Sequence, residues 1–194
     1  MNNHFSLILA AGFSSRMGTC KTTLPWCNSN LLRYQVEQFL LAKITPIVVL
    51  GSHNAHRQID CIGNSLVAIN PHSDRGKVSS IITGLQLLPS SFLSLTISAV
   101  DQPRSSHVYR TLRQTYQSES SLIVAPTDNS GKLGHPLLFS SRLLPEIENI
   151  QESTLGLRNL VRQYYAQIKQ VKFSNSEVFS NLNYPIDYQV EISK

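Results

Sequence analysis

Residues Phe5–Trp26 read FSLILAAGFSSRMGTCKTTLPW, and this stretch indicates how the chain folds. A short apolar run over Phe5–Leu9, closed by small residues and glycine, is typical of a buried strand. The loop that follows, Gly12–Lys21, carries two serines together with Arg16 and Lys21. Backbone N–H groups in such a loop can hold phosphate oxygens, and the two cations can neutralise their charge. The stretch therefore predicts a triphosphate-binding loop at the end of a first strand.

Two common phosphate motifs do not describe this loop. A Walker loop has four residues between its glycines and Lys-Ser/Thr directly after the second. Here five residues separate Gly12 from Gly18, and two more precede Lys21. The dinucleotide fingerprint requires Gly-x-Gly, and position 14 is serine.

The loop instead resembles LAAG-x-S-x-RMG-x-x-K, the signature of the MobA-like nucleotidyltransferases. The resemblance extends to Leu24-Pro25-Trp26, which is similar to the molybdenum cofactor cytidylyltransferase branch. It implies a Rossmann-like nucleotidyltransferase fold over most of the chain. The alternative is a strand followed by a polar surface turn in which Arg16 and Lys21 are merely solvated. Further motifs of the family, in the same order downstream, argue against that alternative.

Composition predicts a globular chain with one domain over residues 1–194. Hydrophobic residues make up 41% and charged residues 15%, with a net charge of +5. The basic residues are scattered, and no interleaving of aromatic and basic residues marks a nucleic-acid surface. The positive charge therefore favours a small polyphosphate over nucleic acid as the partner.

The cysteines and the apolar runs indicate a cellular setting. Three cysteines without paired spacing predict free thiols in a reducing compartment. No apolar run reaches the length that crosses a membrane. We therefore expect a soluble cytoplasmic protein that does not act at a membrane.

Strand-like and helix-like patterns alternate along the chain, which predicts an α/β fold: a mostly parallel twisted sheet with helices on both faces. Strands are predicted at Phe5–Leu9, Ile47–Leu50, Leu66–Ile69, Leu93–Val100, Leu122–Ala125, Leu137–Phe139 and Ile168–Phe173. Helices are predicted near Leu31–Lys43, Ala55–Ile62, Ser79–Leu88, Ser105–Tyr116, Leu143–Ile150 and Leu155–Tyr165, and from Pro185 onward. Ligands of open sheets bind beyond the carboxyl ends of the strands. We therefore expect the Gly12–Lys21 loop and Asp101 to face one crevice.

Asp101 follows the apolar run Leu93–Val100 and precedes Pro103. A carboxylate at a strand end above a phosphate loop is a suitable ligand for Mg²⁺. The alternative is an Asx turn or a cap before the helix that starts near Ser105. The segment resembles the Asp-Gln-Pro of the family, in which this aspartate holds the metal.

Two further segments resemble binding motifs of the family. Residues 76–85 are similar to Gly-Met-Ser-Ser-Ser-Leu-x-x-Gly-Leu, which implies contact of Gly76, Ser79 and Ser80 with the nucleotide base. A serine-capped helix is the plainer interpretation and is compatible with it. Gly134-His135-Pro136 resembles the Gly-His-Pro of the cytidylyltransferase branch, which implies a place on the acceptor side.

Two segments depart from the family pattern. The family's Gly-Asp-x-Gly-Ala-Arg is represented by Ser153–Arg158, which keeps Gly156 and Arg158 and lacks the acid. Near the C-terminus, Asn181 and Asn183 stand where the branch has Asp-x-Asp. A site with fewer carboxylates is expected to hold Mg²⁺ more weakly.

The resemblance implies transfer of a nucleotidyl group, CMP from CTP, to a molybdopterin-type acceptor with Mg²⁺ as the cofactor and pyrophosphate as the product. A molybdoenzyme is a candidate partner. It implies nucleotide contacts at Leu9, Ala10, Ala11, Gly12, Arg16, Lys21, Gly76, Ser79 and Ser80. It implies catalytic roles for Arg16, Lys21 and Asp101, metal contacts at Asp101 with Asn183 or Asn181, and acceptor contacts at Gly134, His135, Pro136 and Arg158. The alternatives are a guanylyltransferase, a transferase with another acceptor, or a non-catalytic nucleotide-binding accessory protein.

Overall fold

A seven-stranded sheet forms the centre of the protein within residues 3–119, 121–174 and 176–193, the part of the chain that the computed structural model describes. Its strands, in the order of the chain, are β1 His4–Leu9, β4 Thr45–Gly51, β5 Leu66–Asn70, β6 Ser94–Ala99, β7 Ile123–Thr127, β8 Leu137–Ser140 and β9 Ile168–Lys172. Their spatial order is β5-β4-β1-β6-β8-β7-β9. All neighbours are parallel except β8, which is antiparallel to β6 and to β7. The predicted mostly parallel sheet is confirmed.

Helices cover both faces of this sheet. They are α1 Leu31–Leu41, α2 Lys77–Leu85, α3 Ser106–Glu119, α4 Leu144–Glu148, α5 Leu157–Gln163 and α6 Pro185–Ile192. Leu7 of β1 packs in the same buried cluster as Ile81 and Leu85 of α2. Ile8, the next residue, packs in the opposite cluster with Phe39 of α1. Because β1 is buried on both faces, apolar residues predominate in it, and its polar residues His4 and Ser6 are buried as well.

Pro46 was expected to end the first helix, but it lies inside a strand. Helix α1 ends at Leu41, and β4 already begins at Thr45. Pro46 pairs with Ser6 of β1, whereas pairing with β5 begins only at Ile47. The missing N–H of proline therefore falls where β4 has a neighbour on one side only, a position at which proline is tolerated.

The helix predicted over Ala55–Ile62 is wrong in type and in extent. This segment forms a 3₁₀ helix over Ser52–Asp60, with non-helical backbone angles at Asn54. The buried Asn54 side chain explains the irregularity. Its Oδ1 accepts from Gly51 N at 2.8 Å, and its Nδ2 donates to Ala10 O at 2.9 Å.

A small hairpin was not predicted. It consists of β2 Pro25–Trp26 and β3 Ser29–Asn30, and Cys27 in its turn has a positive φ of 51°. Asn30 also caps α1, because its side chain accepts a hydrogen bond from Arg33 N at 3.0 Å. Strands of two residues are too short to produce a visible hydrophobic period.

The topology places four loops at one edge of the sheet. β1, β4, β5 and β6 are parallel, so their carboxyl ends share this edge, and the antiparallel β8 begins there. The loops that follow β1, β5 and β6 therefore lie near the segment that precedes β8. None of the described helices has the length and apolar character needed to cross a membrane.

Gly84 sets how closely α2 approaches the sheet. A Cβ at Gly84 would lie 2.7 Å from Leu7 Cδ2 and 2.8 Å from Val49 Cγ2. Overpacking a tight core costs about 1–3 kcal/mol, and the higher helix propensity of alanine returns only about 1 kcal/mol. We therefore expect Gly84→Ala to lower the free energy of unfolding in a urea titration by up to about 2 kcal/mol.

Gly12→Ala is the matched control, since a Cβ there would meet no heavy atom of other residues within 4 Å. We expect its stability to stay within about 0.5 kcal/mol of the wild type. Equal stability of the Gly84 and Gly12 variants would contradict the close approach of α2.

Candidate active site

The loop after β1 and the end of β6 meet through an ion pair. Lys21 Nζ lies 2.7 Å from Asp101 Oδ2, and the two side chains are only 11% and 20% exposed. The expectation that the Gly12–Lys21 loop and Asp101 face one crevice is confirmed. A contact with this little solvent is stronger than an ion pair at an open surface.

The loop is held in shape by one buried side chain and one hydroxyl. Met17 packs in the core beneath the loop, whereas its neighbours Arg16 and Gly18 are exposed. The Ser14 hydroxyl accepts from Lys21 N at 3.2 Å, and Met17 N donates to Ser14 O at 2.9 Å. These contacts turn Lys21 inward to Asp101 and leave the Arg16 guanidinium toward solvent.

The C-terminal asparagine segment runs beside Asp101. Leu182 is fully buried, and its N–H donates to the backbone carbonyl of Asp101 at 2.8 Å. Asn181 Nδ2 donates to Phe179 O, whereas the buried Asn181 Oδ1 has no hydrogen-bond partner among the described residues. A buried oxygen without a partner is uncommon and requires an explanation.

This donor set is suited to a hard cation. The Asp101 carboxylate and the amide oxygens of Asn181 and Asn183 are ligand types that Mg²⁺ and Mn²⁺ accept. Within the described ranges, no three His, Cys, Asp or Glu side chains are grouped so as to hold a metal. Such a sparse set is typical of sites where substrate phosphates and water complete the coordination of Mg²⁺.

Asn70, which the sequence analysis did not single out, organises the start of α2. It is 1% exposed, and its Nδ2 donates to Ser79 Oγ at 2.9 Å and to Ser80 Oγ at 3.0 Å. Ser79 Oγ in turn donates to His72 O and to Gly76 O. Both predicted base-contacting hydroxyls are therefore engaged within the protein in this state. Asparagine at the end of a strand is a signal that could have indicated this role.

A cavity of about 470 Å³ lies between the start of α2 and the segment before β8. It brings together four predicted residues, Leu9 of β1 and the expected acceptor-side residues Gly134, His135 and Arg158, and Lys77 also lines it. Gly134 lies in its wall, whereas Pro136 is buried behind it. The cavity is thus bordered by residues assigned to both the nucleotide and the acceptor.

Glu152 supplies an acid to this cavity, although the family's acidic position was expected to be empty here. Its Oε2 accepts from Val78 N at 2.8 Å at the start of α2. Gly76 makes room for it, since a Cβ there would lie 2.5 Å from Glu152 Cδ. Gly156 makes room for Val78 in the same way, at 2.9 Å from Cγ2. The start of α2 and the turn at residues 152–156 pack closely because of these two glycines. The spacing of residues in the sequence does not indicate this contact.

Arg104 is a further residue that sequence reasoning missed. It is 1% exposed and donates to three carbonyls: Pro103 at 2.8 Å, His135 at 3.0 Å and Val178 at 3.2 Å. Desolvation lowers the pKa of its guanidinium, and the negative charges of nearby groups, including Glu177, oppose that shift. The planar, multidentate guanidinium suits this task. Arg104 ties the Asp101 loop to the acceptor segment.

His135 is held by its backbone and is neutral at pH 7. Its N–H donates to Val178 O at 2.9 Å, and a Cβ on Gly134 would approach the same oxygen to 2.7 Å. Desolvation, followed by the positive charges of Arg104 and Lys77, lowers the pKa of His135 to about 4. The residue lies at the cavity wall, where the charges of Arg104 and Lys77 both act on its ring.

A mostly parallel sheet, with a cationic loop after its first strand and an aspartate at the end of β6, defines a nucleotidyltransferase-type α/β protein. The chain belongs to the family of the MobA-like NTP transferase domain, whose model matches residues 6–169.

Two curated relatives match nearly the whole chain. The molybdenum cofactor cytidylyltransferase of Escherichia coli (strain K12) is 25% identical over 190 residues, which is 94% of this chain and 92% of that protein. A probable molybdenum cofactor guanylyltransferase of Bacillus cereus (strain AH187) is 24% identical over 195 residues, or 97% and 95% of the two chains. The two identities are too similar to decide between the bases.

Solved structures share the fold. Rv0371c of Mycobacterium tuberculosis H37Rv has a TM-score of 0.85 at 20% identity, covering 100% of this chain and 98% of its own. A second structure of Rv0371c, in complex with manganese, has a TM-score of 0.81 at 18% identity, with coverages of 100% and 99%.

The effect of the Arg104 charge can be tested by measuring the pKa of His135. We expect Arg104→Met to raise the pKa of His135 from about 4 toward its ordinary value, because the variant removes the nearest positive charge. Histidine ring resonances followed by NMR over a pH titration measure this shift. Lys77→Ala leaves the buried contacts intact and is expected to give a smaller rise in the same direction.

Arg104→Lys is the control that keeps a cation but cannot reach three carbonyls. We expect it to lower stability while leaving the His135 titration low. A His135 pKa that stays unchanged in both the Arg104→Met and the Lys77→Ala variants would contradict the electrostatic account.

Proposed function

We propose that the protein transfers CMP from CTP to the phosphate of a molybdopterin-type acceptor and releases pyrophosphate. The observation that carries the proposal is the contact between Lys21 of the signature loop and Asp101 at the end of β6. It unites, in one crevice, a cation suited to a triphosphate and a carboxylate suited to its metal. The cytidylyl and guanylyl relatives both support a molybdenum cofactor product.

Binding of the triphosphate requires the ion pair to separate. Lys21 and Asp101 neutralise each other in the structure, so an incoming phosphate must draw Lys21 away from the carboxylate. Arg16, exposed on the same loop, can make the first contact with the ligand. Asp101, with the amide oxygen of Asn181 or Asn183, would then hold Mg²⁺, which when bound offsets phosphate charge.

The chemistry requires alignment more than covalent help from the protein. An oxygen of the acceptor phosphate attacks the α-phosphorus of CTP, and a new P–O bond forms. The bond between the α-phosphorus and the bridging oxygen breaks, and pyrophosphate leaves with the electron pair. Arg16 and Lys21 neutralise the charge that accumulates on pyrophosphate. His135 and Arg158, on the far side of the cavity, orient the acceptor.

Ala11 supports cytidine over guanosine. It is 2% exposed at the carboxyl end of β1, whereas the guanylyl branch that this loop resembles carries glycine there. Because the residue is buried, its methyl group would act on the base only through the position of the loop backbone that the base approaches. The same proposal includes one domain over residues 1–194, a cytoplasmic location, and a molybdoenzyme that receives the product.

A pyrophosphate-release assay with each of the four NTPs, Mg²⁺ and a molybdopterin-type acceptor tests the proposal. We expect release only when the acceptor is present, and CTP to give the highest kcat/KM. A preference for GTP would refute the cytidylyl assignment and leave the transferase class intact. Tight NTP binding without release of pyrophosphate would favour the accessory-protein alternative.

The ion pair predicts different outcomes for stability and for catalysis. Lys21→Met and Asp101→Asn each leave one poorly solvated charge without its partner, and we expect each to lose about 1–3 kcal/mol of stability. The double variant removes both charges and is expected to recover most of that loss. Catalysis should fall about 10²–10³-fold in all three, since charge-stabilising groups are worth that much.

Urea unfolding and the pyrophosphate assay, run on the same four proteins, check this prediction. Asp101→Asn should also shift the Mg²⁺ midpoint of activity upward. Activity that recovers together with stability in the double variant would show that the pair is only structural.

A further inference from the structure

Phe13 is an exposed aromatic residue that the proposed function does not use. It follows Gly12 in the signature loop and is 62% exposed. Its ring is stacked on the imidazole of His53, with centroids 4.5 Å apart and an interplanar angle of 20°. Leaving a large apolar ring in water is unfavourable, so its place in a binding loop requires an explanation.

The stack stands between the two segments assigned to the nucleotide. A Cβ on Gly51, the last residue of β4, would lie 2.7 Å from His53 Cε1 and 3.1 Å from Ala11 O. His53 therefore lies against the strand end, beside the signature loop, with the Nδ1–Cε1 edge of its ring toward Gly51. In the sheet register Gly51 is the neighbour of Asn70, which holds the two serines of α2.

Buried hydrogen bonds fix both halves of the stack. Asn54 is 1% exposed and joins the loop to the His53 segment by bonding to Ala10 O and to Gly51 N. Gly12, the residue between Ala11 and Phe13, faces open space. A ligand can therefore approach the Phe13 ring beside Gly12 without moving the backbone, and preorganisation of this kind lowers the entropy cost of binding.

We propose that the Phe13 ring, backed by His53, is the stacking platform for the nucleobase of the substrate. This inference rests on the proposed nucleotidyltransferase function. Stacking on an aromatic ring tolerates every base, because each base has a π-face. The platform therefore contributes affinity for the base, whereas the choice between cytosine and guanine comes from groups at the base edge.

Isothermal titration with CTP, GTP and inorganic tripolyphosphate, each with Mg²⁺, separates the base from the phosphates. We expect Phe13→Ala to weaken CTP and GTP binding by similar factors, about 5- to 150-fold, the range measured for loss of one base–aromatic stack. Tripolyphosphate has no base, so its affinity is expected to stay unchanged. Phe13→Tyr keeps the ring and should bind all three ligands as the wild type does.

His53→Ala removes the support behind the ring and is expected to give a smaller loss with both nucleotides. An equal loss for tripolyphosphate in Phe13→Ala would overturn the inference, because Phe13 would then shape the phosphate loop. Unchanged CTP and GTP affinities would overturn it as well, while the proposed function would stand. A wild-type protein that binds no nucleotide would overturn both.

Discussion

The contact between Lys21 and Asp101 is the constraint around which the site is arranged. Each side chain is so poorly solvated that its charge would be costly without a partner, and each therefore requires an opposite charge nearby. In the structure they satisfy one another across the crevice. With substrate, a phosphate and its metal would have to replace both partners together. The supports on either side, Met17 beneath the loop and Leu182 against the Asp101 carbonyl, keep the charges in reach of each other and of a ligand.

The region predicted to bind the acceptor is held together by long-range polar contacts and not by strand ends. Arg104 joins three stretches of chain through carbonyl oxygens, and Glu152 joins the start of α2 to the turn before α5. Glycines 76, 134 and 156 permit the close approach of these stretches. Substitutions in this region are therefore expected to disturb fold and site together, whereas the Gly12–Lys21 loop is held by Met17, by the Ser14 hydroxyl and by the ion pair of Lys21.

Features that depend on contacts between residues close in the sequence could be predicted, and features that depend on distant residues could not. The apolar runs, the signature loop and the aspartate after β6 are local patterns, so the sheet, its helices and the meeting of Lys21 with Asp101 could be predicted. Arg104 and Glu152 bond to groups 31 to 74 positions away, apart from the adjacent Pro103, so no local pattern in the sequence indicates their roles. The position of Pro46 was misinterpreted for a related reason. Proline is tolerated there because β5 pairs with β4 only from Ile47 onward, and the local sequence around Pro46 does not show this. The hairpin β2–β3 and the irregular turn at Asn54 are too short for periodicity to indicate.

The engagement of Ser79 and Ser80 by Asn70 bears on how one scaffold can serve two bases. The Ser79 hydroxyl accepts from Asn70 and directs its proton at backbone carbonyls, so it can donate to a base edge only if the loop rearranges. The exposed ring of Phe13 is available to a base without such a rearrangement. Backbone groups discriminate by small shifts in position, and a ring discriminates hardly at all. Under the proposed function, the Ala11 methyl group acts on the choice of base through the position of the loop backbone, so a change as small as alanine to glycine would let one scaffold serve the other base.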